Sequence, residues 1–250
     1  MIESGSMENP DIILASSSPR RQNLLAWTGW SFRIRPVEID ETPHPGEPPG
    51  SFALRLAESK AHAASSPMKE DEVILACDTI VADGSKLLGK PTNIDEAKAM
   101  LRRLRGHTHQ VYTAIAVSIP GEDLTLTDLC ISQVPMREYG DEEIEVYTAS
   151  GDPLDKAGAY AIQHPDFNPV AGLRDCYASV MGLPLCHLVR ILRRLDITPR
   201  ADVPRTCQDR LQYQCPVSHK ILKHHPLESS QPVGIPDGYQ HIYEQGNHKE

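Results

Sequence analysis

The apolar segment from Asp11 to Ala15 runs without a break into Ser16-Ser17-Ser18-Pro19-Arg20-Arg21 and on into Gln22-Asn23-Leu24-Leu25. Ser18 suits a helix N-cap and Pro19 the first helical position, so the spacing predicts a strand, a hydroxyl-rich turn and a helix from Pro19 to about Thr28. The free amides of that first turn face outward with two guanidinium groups beside them. The result is an anion trap that suits a polyphosphate, and a strand feeding directly into a helix commits the start of the chain to an α/β organisation.

The trap is informative because the chain as a whole is acidic, with a formal net charge of -9. Such a balance repels a nucleic-acid backbone, and local cations on an acidic protein point to a small anionic ligand instead. With 250 residues, 40% of them hydrophobic, the chain can bury a full core as one large domain or two small ones. Six cysteines in a chain of this size are expected to be reduced thiols of a cytoplasmic protein, and Met1 to Met7 lacks the basic-then-apolar character of a leader. No apolar run approaches the roughly 18 residues of a membrane span, so a soluble protein is expected.

Ile- and Val-rich runs alternate with segments of helical period, the pattern of an α/β or mixed α+β domain. A second strand is expected over Ser31 to Val37, then a Pro- and Gly-rich loop from Asp40 to Gly50, then a helix from Phe52 to Ala64 capped by Ser51. Val73 to Ala76 reads as a buried strand that delivers Asp78 and Thr79 to its C-terminal end, where sites on α/β sheets lie. A hairpin-like segment through Gly84 to Leu88 leads to Gly89-Lys90-Pro91. Helix Asp95 to Arg105 follows, with a capping-box spacing from Thr92 and a stop at Gly106. Strands Gln110 to Ile119 and Leu124 to Val134, a short helix Asp141 to Ala149, a Gly-rich region and a last helix, Pro184 to Leu195, complete the order.

Residues 1–10 are expected to be a flexible start, 11–197 the folded domain, and 198–250 an appended mobile tail without strong helix or strand. The tail holds Cys207, Cys215, His219, His224 and His225, whose spacing matches no common structural zinc module. A solvated tail is the reading preferred over a metal site.

An ionised carboxylate at Asp78, directly after a buried strand, must be paired or must coordinate a metal. A salt bridge or helix cap would satisfy it as well as a reaction would. Arg20, Arg21, Lys60 and Lys90 all fall on or beside predicted helix starts, strand ends or short loops, together with Asp40 and Glu41. Cations and carboxylates converging on one cleft are what phosphoryl chemistry requires. His107, His109 and His187 have no nucleophile paired with them in the sequence and are expected to be structural.

Taken in order, Leu14-Ala15-Ser16-Ser17-Ser18-Pro19-Arg20-Arg21, Asp40-Glu41-Thr42-Pro43, Leu56-Ala57-Glu58-Ser59-Lys60-Ala61, Cys77-Asp78-Thr79-Ile80-Val81 with Gly89-Lys90-Pro91, Ser150 through Gln163, and Gly182-Leu183-Pro184-Leu185 resemble the Maf family of nucleoside triphosphate pyrophosphatases, also called septum formation inhibitors. The resemblance covers about residues 11 to 197. It implies a mixed α/β fold around an extended curved sheet with a cleft, similar to inosine triphosphate pyrophosphatases, and a homodimer. It also implies hydrolysis between the α and β phosphates of a nucleoside triphosphate, with Mg²⁺ or Mn²⁺.

On this resemblance Ser18 and Arg21 match the family's S-x-x-R signature, Lys60 and Lys90 its phosphate-side lysines, Asp78 its catalytic aspartate and Glu41 a site acid. Arg20, Thr79 and Gln163 match positions associated with substrate choice. A free carboxylate is a poor base for bulk water, so Asp78 is expected to work on a metal-activated water while Glu41 helps hold the ion; whether Asp78 also ligates it is open. The D-K-A-G-x-Y-x-I-Q pattern from Asp155 to Gln163 resembles the branch acting on dTTP and UTP, and a Gln amide can pair with the imide edge of uracil or thymine. Gln163 serving only to tie down a loop is the plainer alternative, and Lys156 is open to being a structural partner of Asp155. The sequence departs from the family in placing His164-Pro165-Asp166 where glycine usually follows the glutamine, which stiffens that loop and removes an amide donor. Two other readings are a 7-methyl-GTP pyrophosphatase of the same family and a non-catalytic regulatory nucleotide-binding protein linked to septum formation.

Overall fold

The computed structural model describes residues 11–66 and 72–223. Strand β1 (Asp11–Leu14) is followed by helix α1 (Pro19–Ala26), β2 (Phe32–Ile34) and α2 (Pro49–Ala64), and then by β3 (Glu72–Asp83), which forms a hairpin with β4 (Lys86–Leu88). Helix α3 (Ile94–Leu104) leads to the long antiparallel pair β5 (Thr108–Ile119) and β6 (Leu124–Pro135). After α4 (Asp141–Ala149) and two short 3₁₀ turns come α5 (Tyr177–Val180), α6 (Leu185–Arg193), α7 (Val203–Leu211) and α8 (Ser218–Lys223). The expected mixed α/β class is what the chain adopts.

One mixed sheet carries the site, with strand order β2-β1-β3-β5-β6 and β4 attached to β3. Along one edge β3 pairs with β5 over Ile74 to Ala82. Its other edge is shared: β1 runs parallel to it as far as Leu75, and β4 takes over antiparallel at Val81. Ala76 to Ile80 therefore lie at a gap between β1 and β4. The expected strand end after Ala76 is thus only the end of the parallel pairing; the strand itself continues to Asp83, because β5 supplies an unbroken ladder of partners.

The two-residue period of a strand sends neighbours to opposite faces. Ile74, Ala76 and Ala82 face α2, whose stripe of Ala53, Ala57, Ala61 and Ala64 lets the helix settle closely on the sheet. Val73, Leu75 and Cys77 face a second core made with Leu24 and Leu25 of α1 and Leu188 and Ile191 of α6. A third core under α3 and α4 gathers Leu101, Leu104, Tyr139, Ile144 and Tyr147.

Several expected boundaries move. The second strand is only Phe32–Ile34, paired along its length with β1. Helix α2 starts at Pro49 with Pro48, not Ser51, in the cap position, since proline pre-sets the backbone there. Asn93 rather than Thr92 caps α3, its side chain accepting from Glu96 N, while Thr92 bonds the Glu96 carboxylate.

The largest correction lies after residue 197, where α7 and α8 form instead of a structureless tail. Asp202 caps α7 through Arg205 N, and Val203, Cys207 and Leu211, spaced four apart, join the core around α6 together with Val217 and Leu222. The remainder of the expected tail, including His224 and His225, and the expected flexible start lie outside the described residues. All six cysteines are free, and no helix among the described residues is long and apolar enough to cross a membrane.

Candidate active site

The turn after β1 places Ser18 at the N-cap of α1 with Pro19 following, as expected, but the Ser18 side chain makes no capping bond. The working hydroxyl of this turn is that of Ser16, which accepts from Ser18 N at 3.3 Å and from Arg21 Nη1 at 3.2 Å. Arg21 also donates Nη2 to Thr79 Oγ1 (3.2 Å) and Nε to the carbonyl of Gly182 (3.0 Å), so its guanidinium is fixed on three sides. Gly182 has φ +110, and a Cβ there would stand 3.3 Å from Arg21 Nε and 3.4 Å from Thr79 Oγ1. Only glycine lets the backbone come this close to the arginine.

On the other face of β3, Asp78 is 6% exposed and accepts a hydrogen bond from Lys60 of α2, Nζ to Oδ1 at 2.5 Å. The same Nζ reaches Glu41 Oε1 at 2.6 Å. Glu41 is held over Lys60 by its loop. Thr42 N bonds Asp40 Oδ1, and Arg55 of α2 ties down both the Thr42 carbonyl and the Glu47 carboxylate. Partial burial alone raises the Glu41 pKa, but the hydrogen bond from Lys60 and the charges of Lys60, Lys90 and Arg21 outweigh it and hold the carboxyl below its ordinary range.

Three cations thus act on one carboxylate. Lys60 arrives from the α2 face, Arg21 from the α1 face and exposed Lys90 from the segment after β4. Lys60 reaches Asp78 at the gap in the sheet edge. The five residues expected to share one pocket, Arg21, Glu41, Lys60, Asp78 and Lys90, are linked by these contacts and charges. Of the residues expected to select the substrate, Thr79 touches Arg21 directly. Arg20 keeps its buried Nε without a partner, and its charge opposes the burial and the Asp152 contact that raise the Tyr147 phenol. Gln163 is exposed on its loop. That loop is anchored by Tyr147, whose hydroxyl donates to Asp152 Oδ2 (2.7 Å) and accepts from Ala161 N (3.0 Å).

Sequence reading missed Ser16, Thr113 and the Gly182 carbonyl. Thr113 stands opposite Thr79 in the β3–β5 register, with its Oγ1 3.2 Å from Thr79 Oγ1 and donating to Ser179 O at 2.9 Å. Only the strand register could have revealed it. Of the three histidines, His109 is buried against Tyr160 OH (2.8 Å), and His107 bonds Asp83 at the surface. His187 differs from expectation. It lies between Asp128 and the thiol of Cys130, so a nucleophile is paired with it after all.

The Maf-like protein family profile matches residues 11–195. The chain belongs to that family. Maf-like relatives include a dTTP/UTP pyrophosphatase of Anaeromyxobacter dehalogenans, 43% identical over 74% of this chain and 94% of the relative. Another, from Myxococcus xanthus, carries the same name and is 45% identical over 74% of this chain and 93% of its own length. Among solved structures, a HAM1 protein from Coxiella burnetii overlaps 74% of this Maf-like chain and 99% of its own, at 16% identity and a TM-score of 0.42.

Proposed function

We propose that this protein hydrolyses the α–β phosphate bond of dTTP and UTP, releasing pyrophosphate and the monophosphate. The observation that carries the reading is Lys60 standing between Glu41 and Asp78, with Arg21 and Lys90 acting on the same carboxylate. An ammonium has three N–H donors, and Lys60 uses two of them on carboxylates, leaving one for a phosphate oxygen. Arg21 presents a guanidinium already oriented by Ser16, Thr79 and Gly182, so little ordering remains when a phosphate arrives.

Asp78 Oδ1 is engaged by Lys60, which leaves Oδ2 to orient the attacking water and take its proton. Lys60, Lys90 and Arg21 then neutralise the charge that builds on the departing pyrophosphate. Glu41 and Asp78 are hard oxygen donors, each with one oxygen not bound to Lys60 in these contacts, and a Mg²⁺ or Mn²⁺ ion is typically held by one or two carboxylates plus phosphates and waters. No group of three or more His, Cys, Asp or Glu among the described residues is placed to hold an ion, so the donor set fits an ion that arrives with the nucleotide. When bound, such an ion supplies acidification of a water and further neutralisation of the phosphates. On this reading Ser18 and the α1 amides cradle the triphosphate, Gln163 reads the imide edge of the base, and Arg20 and Thr79 help set substrate choice. Two copies of the chain form the working unit, in the reducing cytoplasm that six free thiols suit.

Incubation of the purified protein with dTTP, UTP, CTP and 7-methyl-GTP plus Mn²⁺ is expected to release pyrophosphate from dTTP and UTP first. Turnover of 7-methyl-GTP alone would overturn the base assignment, and silence with all four would favour a regulatory nucleotide-binding role.

A further inference from the structure

We propose that Cys130 and Cys176 form an oxidation site, closing to a disulfide under hydroperoxide and thereby loosening the support of Arg21. Cys130 of β6, Cys176 before α5 and Cys207 of α7 belong to the core around α1 and α6 that Cys77 of β3 also faces. Cys176, Cys186, Cys207 and Cys215 line one narrow apolar cavity. The Cys130 and Cys176 thiols are hydrogen-bonding partners. Ser132 Oγ joins them, 4.0 Å from Cys130 Sγ and donating to the Cys176 carbonyl at 3.4 Å.

Around Cys130 the polar groups are arranged as for an activated thiol. His187 Nδ1 lies 3.2 Å from Asp128 Oδ1, and Asp128 is in turn clasped by Arg190 at 2.6 to 3.0 Å. The charges of the Cys130 sulfur and of Asp128 favour an imidazolium at His187, against its burial and against the Arg190 guanidinium, whose Nη2 lies 3.0 Å from the same Nδ1. Ser179 is fully buried, its Oγ has no oxygen or nitrogen partner, and it lies against Cys130, a donor waiting for a negative sulfur. Contact with Cys176 and the charge of His187 prevail over burial and lower the Cys130 pKa, whereas the same contact and burial raise that of Cys176. Because the His187–Asp128 pair stands on the Cys130 side while the Cys176 sulfur is occupied as the cap of α5, the attacking role falls to Cys130 and the resolving role to Cys176.

The Cys130 thiolate attacks one oxygen of a hydroperoxide, forming a sulfenic acid and releasing hydroxide, or alkoxide from an organic peroxide, which takes up the proton lost by the thiol. The Cys176 sulfur then displaces the sulfenic hydroxyl as water. With hydrogen peroxide, two thiols and one peroxide give one disulfide and two waters, and two electrons pass to the peroxide.

The consequence follows from where Cys176 sits. Its sulfur caps α5 by accepting from Ser179 N at 3.4 Å. Helix α5 and the residues after it hold the active-site cation, since Ser179 O receives Thr113, which abuts Thr79, and Gly182 O receives Arg21 Nε. Pulling the Cys176 sulfur toward Cys130 shifts this cap and, through it, the carbonyl on Arg21.

The test is to treat the full-length protein with hydrogen peroxide, block remaining thiols, and map disulfides by mass spectrometry of peptides. Cys130–Cys176 is expected as the dominant new linkage, formed at least about tenfold more slowly in His187→Gln, with release of pyrophosphate from dTTP falling severalfold and recovering under dithiothreitol. Cys130→Ser is expected to keep basal turnover and lose the peroxide response, while the double substitution Cys207→Ser, Cys215→Ser keeps both. A dominant linkage among Cys186, Cys207 and Cys215, or no disulfide at all, would overturn the oxidation site. The linkage is read without substrate, so it stands or falls separately from the proposed nucleotide chemistry; a linkage that left an active enzyme's turnover unchanged would overturn the coupling to Arg21.

Discussion

Two buried lysines in this protein each sit between two carboxylates, and they are built for different ends. Lys156 donates to the Asp152 carbonyl (2.6 Å), to Asp152 Oδ1 (2.9 Å) and to Asp155 Oδ1 (2.6 Å), so its three donors are all used, and by partners within four residues of it. Lys60 draws its two carboxylates from a loop and from β3, distant in sequence, and has a donor to spare beside Arg21 and Lys90. Composition alone does not separate the two. The satisfied lysine locks a turn, and the under-used one, among surplus cations, prepares a place for an anion.

The sharpest way to break this contrast is Asp78→Asn, expected to lower dTTP turnover by about 10²- to 10⁴-fold with nucleotide binding and fold retained, as kinetics beside thermal melting would show. Near-normal turnover would remove Asp78 from the chemistry. Lys156→Met should do the reverse: Asp152 is a third exposed and Asp155 mostly so, and losing the ammonium that ties them to the turn is expected to cost about 1 to 2 kcal/mol of stability, read by urea unfolding, with kcat per folded molecule little changed.

His109 probes the core under α3 and α4 near that locked turn. Burial holds its imidazole down at about 4, whereas an unfolded histidine titrates near 6.5. The unfolded state therefore binds the proton first, and stability falls as pH drops from about 6.5 to about 4, by roughly 3 kcal/mol in total. His109→Gln should flatten that part of the unfolding-versus-pH curve. The smallest effect is expected from Tyr147→Phe, which removes one bond to Asp152 and one from Ala161 N: about 1 kcal/mol of stability by denaturant titration, and a larger relative loss in kcat/KM for dTTP than for the bare triphosphate if the Gln163 loop is what it steadies.

Much of the site was legible as residue types. A Ser-Pro after an apolar strand, an Asp following a buried run and lysines at element ends are each costly or special unless used, and the structure joins Glu41, Lys60 and Asp78 by direct contacts, with the charges of Arg21 and Lys90 acting on Glu41. What could not be read was the mode of convergence. The end of the apolar run at Ala76 resembles the end of a strand, yet β5 continues to pair and only β1 stops, and the resulting gap leaves Asp78 on an edge that neither β1 nor β4 covers, where Lys60 reaches it. That fact belongs to pairing, not to local sequence. The helices after residue 197 were missed for a different reason. Val203, Cys207 and Leu211 have helical spacing behind an Asp202 cap, but a stripe with cysteine at its centre looks weakly apolar until it has a partner surface.

The spare donor of Lys60 is most directly tested by dTTP affinity in Lys60→Met and Lys156→Met side by side, by calorimetry with Ca²⁺ in place of a catalytic ion, on variants shown folded by circular dichroism. A loss of at least about tenfold in the first, with affinity unchanged in the second, is the predicted result. Equal affinities in the two variants would contradict it.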